Sequence, residues 1–236
     1  MEYRTLSESE YGDLEGRILF EDNHLLIVYK KVGEIAQGDK TGDECLADSY
    51  KAFIAARDSK PGKVFLGVPH RLDRTVEGIF LLAKTSKALS RLTVMFSHGE
   101  VHKTYRALCC SKPEPEEGVL ENYITRNEKQ NKSYVARSQE TPGAKLARLK
   151  YRFLESTDRY HLVEVELFTG RHHQIRCQLS HIGCPIKGDL KYGAPRSNPD
   201  GGICLQSREV KFVHPVSGKE IDIKVSSPAS WKGINY

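Results

Sequence analysis

No run of about 18 apolar residues occurs anywhere in the chain, so the sequence offers no membrane-spanning helix. The start, "MEYRTLSESEYGDLEG", has neither a basic segment followed by an apolar one nor an Arg-rich amphipathic pattern, so no export or organellar leader is expected. The six cysteines, Cys45, Cys109, Cys110, Cys177, Cys184 and Cys204, include no CxxC pair and show no regular spacing. That excludes a disulfide framework and points to reduced thiols in a soluble, cytoplasmic protein. There is no internal repeat and no low-complexity segment, and the one Pro-rich break, "SKPEPEEG", is too short to link domains.

What is present fits one large domain. Of 236 residues 39% are hydrophobic, enough for a sizeable buried core. Net charge is +5, which permits a polyanionic partner without demanding one. The distribution is uneven: residues 1–22 carry seven Asp/Glu against Arg4 and Arg17, whereas residues 126–152 carry eight Lys/Arg against Glu128 and Glu140. A solvated face and a phosphate-contacting surface are both open readings of the basic stretch.

Periodicity supplies the elements. "RILFEDNHLLIVYKKVG" reads as a β-hairpin turning at Asp22-Asn23, and residues 44–57 place Leu46, Tyr50, Phe53 and Ile54 at helical spacing. "VFLGVP" and "IFLLAK" read as two strands flanking the connection 70–78. Residues 86–98 form a helix capped by Thr85 or Ser86 and stopped by Gly99. "VHKTYRALCC", "VLENYITR", "KSYVARS", "KLARLKYRFLES" and "YHLVEVELFT" follow as strands. A short helix over 172–183 comes next, then two strands joined by "HPVSGK". The sum is an α+β domain with a mixed, largely antiparallel sheet flanked by helices and loops.

Three stretches carry chemistry. In "HRLDRTVEG", residues 70–78, Asp73 lies between Arg71 and Arg74, either as a structural ion pair or as a carboxylate held ionised for nucleophilic or base chemistry. In "HKTYRAL", Lys103 and Tyr105 share one face of a strand, where the tyrosine serves the core or stacks a nucleobase. In "TGRHHQIRCQLSHIGCPIKGD", Arg171, His172, Gln174 and Arg176 open a helix whose N-terminus favours an anion. His173, Cys177, His181 and Cys184 in the same stretch raise a zinc site. One straight helix, however, spreads them over more than a helical pitch, so no metal is expected.

In this order and spacing the three stretches resemble the RluA family of RNA pseudouridine synthases. The first family element matches His70, Arg71, Leu72, Asp73 and Gly78. The second, Lys-x-Tyr-x-Ala, matches Lys103, Tyr105 and Ala107. The third, Gly-Arg-x-His-Gln-Ile-Arg, matches Gly170, Arg171, His173, Gln174, Ile175 and Arg176, and "HIGCPIKGDLKYG" continues it. The resemblance covers nearly the whole chain. It departs at Thr75, Val76 and Glu77, where relatives commonly have Asp-Thr-Ser before the Gly, and at Lys31, where they often have Pro.

The resemblance implies a single catalytic domain over 17–236 preceded by an N-terminal extension, 1–16, too short for the small RNA-binding domain of some relatives. It implies isomerisation of uridine to pseudouridine in ribosomal or transfer RNA, without cofactor, by a monomer. Asp73 would be the nucleophile, attacking base or sugar or taking a ribose proton. Arg176, or failing that Arg171, would face it, and Tyr105 would stack on the uracil and help remove the C5 proton. Arg71, with His70 as second choice, would fill the space left by a uridine flipped out of an RNA stem-loop. Arg74, Lys103, His173 and Gln174 complete the expected substrate-binding set. The rival expectations are a catalytically silent RNA-binding module using the same residues and, more remotely, a zinc-dependent hydrolase.

Overall fold

A computed structural model describes residues 3–36, 38, 42–59 and 62–231. The α+β class and the largely antiparallel pairing expected from the sequence are present, and the contacts cluster into two compact units. The first comprises Met1–Val101 with Phe212–Ile223, and the second His102–Lys211 with Lys224–Tyr236.

The first unit opens with a helix inside the expected N-terminal extension, α1 (Glu8–Gly16). Its start is a capping box: the Glu10 N–H donates to Ser7 Oγ at 3.2 Å and the Ser7 N–H donates to Glu10 Oε2 at 2.9 Å. Strands β1 (Ile18–Glu21) and β2 (Leu25–Lys30) form the expected hairpin, with the Asp22 carboxylate accepting the His24 and Leu25 N–H groups at 2.7 Å each. Helix α2 (Leu46–Asp58) buries the predicted Leu46, Tyr50, Phe53 and Ile54, and the Tyr50 hydroxyl donates to the Leu14 carbonyl at 3.0 Å. Strand β3 (Glu77–Ala83) pairs antiparallel with β2 from Leu25↔Ala83 to Lys30↔Gly78. Helix α3 (Ser86–His98) is capped by Thr85, whose Oγ1 accepts the Ala88 N–H, and ends at left-handed Gly99.

One expected strand is absent. "VFLGVP" is extended but only Gly67 pairs, bridging to Ala83. The chain runs close over α3 there: a Cβ on Gly67 would come within 2.6 Å of Leu89 Cδ2.

The second unit is a six-stranded antiparallel sheet with one helix. Along the chain come β4 (His102–Cys109), β5 (Glu117–Asn127), β6 (Lys132–Val135), β7 (Lys145–Ser156) and β8 (His161–Leu167). After α4 (Gln174–His181) and a 3-10 turn at Leu190–Tyr192 comes β9 (Leu205–Val213), the sixth strand; β10 (Glu220–Lys224) follows it in the chain, with Glu220–Ile223 counted in the first unit. The spatial order is β9-β4-β8-β7-β5-β6. Helix α4 packs on β5 and β6, closing a small core of Ile124, Ala147, Cys177 and Tyr192. It begins two residues later than expected because His173 adopts a left-handed φ of 51°, which no continuing helix allows.

One face of this sheet alternates in charge across its strands, from buried Arg106 to the exposed β7 and β5 side chains. Arg106, Glu164, Arg152 and Glu117 stand opposite one another on β4, β8, β7 and β5. One row over, Lys150 faces Glu166. Arg152 contacts Glu164 at 3.0 Å and Arg148 contacts Glu121 at 3.5 Å. Three of the eight basic residues of 126–152 therefore belong to a self-compensating surface. Among the described residues no helix is long and apolar enough to cross a membrane.

Candidate active site

The Asp73 loop belongs to the first unit. Residues 73–76 form a turn closed by the Val76 N–H donating to the Asp73 carbonyl at 3.0 Å, and the Gly33 N–H donates to the Arg74 carbonyl at 2.8 Å. Beneath the turn lies Lys30, at the end of β2 and fully buried. Its ammonium donates to the carbonyls of Val76 at 2.7 Å, Lys31 and Asp73 at 3.1 Å each, and Arg74 at 3.4 Å. Burial pushes its pKa down to about 8, opposed by the charges of Glu34, Asp73 and Glu77. Three backbone oxygens of the Asp73 turn thus converge on one buried cation, and the half-buried Asp73 carboxyl sits on a turn held through its main chain.

The neighbours of Asp73 are placed differently from one another. Arg74 reaches Asp43 at 2.9 Å on the exposed surface. Arg71 is exposed and has no ion-pair partner among the described residues. His70 packs its ring at 4.6 Å and 17° on Phe96 and at 4.7 Å from Phe80, while its Nε2 accepts the Leu81 N–H at 3.0 Å. That bond anchors His70 to β3 and leaves the neutral ring's proton on Nδ1. Glu77, one of the departures from the family pattern, accepts the Tyr29 hydroxyl at 2.7 Å.

In the second unit Lys103, Tyr105 and Ala107 all lie buried along β4. Burial lowers the pKa of Lys103. The Gly170–Arg176 motif wraps into α4 through a dense polar network. Gln174 is a brace: its Oε1 accepts the Thr169 hydroxyl at 2.7 Å and the Arg171 N–H at 3.0 Å, and its amide donates to the Arg148 carbonyl at 3.1 Å. Arg171 is exposed and donates from Nε to the Leu146 carbonyl at 2.8 Å.

Arg176 is buried and makes a bidentate pair with Asp189, Nε to Oδ2 at 2.6 Å and Nη2 to Oδ1 at 2.9 Å. Its guanidinium also lies 5.0 Å from the centroid of the Tyr192 ring. The Tyr192 hydroxyl meets His173 Nδ1 at 3.1 Å and accepts the Ser133 N–H at 2.7 Å. Asp189 and Tyr192 escaped the sequence reading as functional residues. Both stand in the "KGDLKYG" continuation of the motif, and a lone buried acid 13 positions after an arginine was the available signal.

The four residues weighed for zinc are dispersed in role. His173 bonds Tyr192, His181 is exposed, and burial pushes the Cys177 thiol up to about 11. Among the described residues no group of three or more His, Cys, Asp or Glu side chains is gathered to hold a metal ion.

Comparison with known proteins defines the class. Residues 24–181 match the model of the RNA pseudouridylate synthase family, and the chain belongs to that family. It is an RNA pseudouridine synthase, an isomerase. It is 32% identical to the ribosomal large subunit pseudouridine synthase C of Vibrio cholerae, over 91% of this chain and 67% of that one. It is 31% identical to the synthase D of Zymomonas mobilis, over 94% and 72%. Among solved structures, human RNA pseudouridylate synthase domain containing 4 shares the fold, with a TM-score of 0.79 at 24% identity over 93% of this chain and 92% of that one.

Proposed function

We propose that the chain isomerises specific uridines of a structured RNA by a cofactor-free route in which Asp73 is the nucleophile. The N1–C1′ bond breaks while the uracil stays bound, the base turns, and a C5–C1′ bond forms. The C5 proton leaves and N1 gains one, so the reaction balances without an oxidant, a reductant or an added group. Tyr105 stacks on the uracil and assists at C5, and Arg176, oriented by Asp189, is the cationic member of the set. Arg71, exposed beside Asp73, takes the place of the extruded base in the RNA stack. His70, Arg74, Lys103, Arg171, His173 and Gln174 complete the binding set, His70 and Gln174 acting as braces. The catalytic domain on this reading runs from residue 17 to 236, and the protein works as a monomer in the cytoplasm.

The observation that carries the reading is the Asp73 turn, whose backbone carbonyls are held by the buried Lys30 ammonium and whose position is thereby fixed. The names of the relatives make large-subunit ribosomal RNA the first substrate to test, with transfer RNA second. The test is carbodiimide labelling of pseudouridine in total RNA from cells lacking the gene, complemented with wild type or with Asp73→Asn. Sites that vanish on deletion and return only with Asp73 support the proposal. Sites restored equally by Asp73→Asn overturn the nucleophile. No change at all, with RNA binding intact, favours a silent binding module.

A further inference from the structure

The basic stretch 126–152 divides into two surfaces of opposite character. On β7 the cations Arg148, Lys150 and Arg152 face Glu121, Glu166 and Glu164. At the β5–β6 turn the cations make no ion pair among the described residues. Arg126 and Lys129 are exposed, Lys132 lies 5.0 Å from the Tyr192 ring centroid, and Lys191 donates to the Gln130 and Asn131 carbonyls at 3.3 and 3.1 Å. Glu128 is the one acid in the turn. Carbonyl oxygens orient an ammonium without cancelling its charge, so the field of four cations stands open to solvent.

Asn131 ties the turn to the catalytic motif. Asn131 adopts a left-handed φ of 45°, and its Oδ1 takes Arg126 Nη2 at 3.1 Å and meets His172 Nε2 at 3.1 Å. His172 Nδ1 meets Ser133 Oγ at 2.8 Å, and the His172 ring stacks on His173 at 3.8 Å. His173 continues to Tyr192, and Tyr192 to Arg176. His172 occupies the variable position of the family motif, so this link is a property of this chain rather than of the motif.

We propose that the 127–132 turn is the surface that grips RNA phosphates, and that Asn131 is a positioning residue setting that grip relative to the Arg171–Arg176 segment. The proposal rests on RNA being the substrate. It assigns the outer face of β7 no part in binding. A phosphate chain suits the turn because its four cations outnumber its one acid, Glu128, and flank a hydrogen-bonded backbone, whereas β7 would have to break its own ion pairs to bind.

The test compares Arg126→Gln/Lys129→Gln with Lys150→Gln/Arg152→Gln, using a fluorescein-labelled RNA hairpin with a uridine loop and anisotropy across a salt series. Losing two phosphate contacts lowers the slope of log K against log salt by roughly 1.4–1.8, and only the turn variant is expected to show this. Equal slopes for the two variants, or a loss confined to the β7 variant, overturn the proposal. Asn131→Gly keeps the left-handed backbone while deleting Oδ1. It is expected to raise KM for RNA about threefold or more, with kcat within about twofold and thermal stability preserved. A change in kcat alone removes Asn131 from the positioning role. Pseudouridine formation by the wild type, measured in parallel, reports separately on the synthase reading, since the salt comparison decides on the turn whether or not turnover is seen.

Discussion

Lys30 offers the sharpest test of how the Asp73 turn is held, because its stability and activity effects run in opposite directions with pH. The side chain is fully buried, and burial lowers its pKa from the ordinary 10.5 to about 8. In the unfolded chain it titrates near its ordinary value, so between about pH 8 and 10.5 the unfolded state binds the extra proton and folding becomes more favourable as pH rises. The 2.5-unit difference corresponds to on the order of 3 kcal/mol gained across that window. Function moves the other way. A neutral amine has two N–H groups for the carbonyls of Lys31, Asp73, Arg74 and Val76, so deprotonation releases part of the turn and slows turnover above pH 8. Urea unfolding of wild type and Lys30→Met at several pH values isolates the effect from other groups, since Lys30→Met lacks this titration. A stability difference that stays flat from pH 7.5 to 10, or wild-type turnover that climbs over the same range, refutes the reasoning.

Two further outcomes follow from other buried charges. Asp189→Ala removes the bidentate carboxylate from the buried Arg176 guanidinium and is expected to cost about 3–5 kcal/mol in chemical denaturation, whereas Arg176→Met/Asp189→Leu recovers most of the stability and none of the pseudouridine formation. Glu21 is held down to about 2 by hydrogen bonds from Arg57 at 2.7 and 2.8 Å and from Lys84 at 2.6 Å. Its contribution is present above about pH 4.5 and is lost as pH falls through about 2, so Glu21→Gln should lose about 1–2 kcal/mol at pH 7, solvent screening at this partly exposed site reducing the full linkage value, and should approach wild type below pH 2.

Local rules carried most of the fold, and they failed where a tertiary contact overrode them. The hairpin at Asp22-Asn23, the caps at Thr85 and Gly99 and the alternation of β7 each depend on neighbouring residues and were legible. "VFLGVP" satisfies strand patterning, yet its pairing is replaced by the close pass of Gly67 over Leu89, which no local pattern encodes. The α1 capping box was legible in "SESE" but was masked by a low apolar content that leaves Leu14 as the helix's one buried residue. In the site, motif membership was readable and role was not. His70 and Gln174 stand in the motifs beside Asp73 and Arg176, and only their hydrogen bonds to Leu81 and to the Thr169–Arg171 backbone reveal them as braces. The basic stretch shows the same limit, because sequence counts cations while strand register decides which of them face a glutamate.

A cation that binds a turn through carbonyl oxygens is blind to the side chains that turn carries. Lys30 recognises the path of residues 73–76 and nothing of their identity, so exposed position 74 and half-buried position 75 can change without loss of these bonds, whereas Val76 is also held by its burial. Specificity for a new RNA can then be explored by substitution around a fixed carboxylate, with the scaffold's tolerance set by one lysine that never meets the substrate.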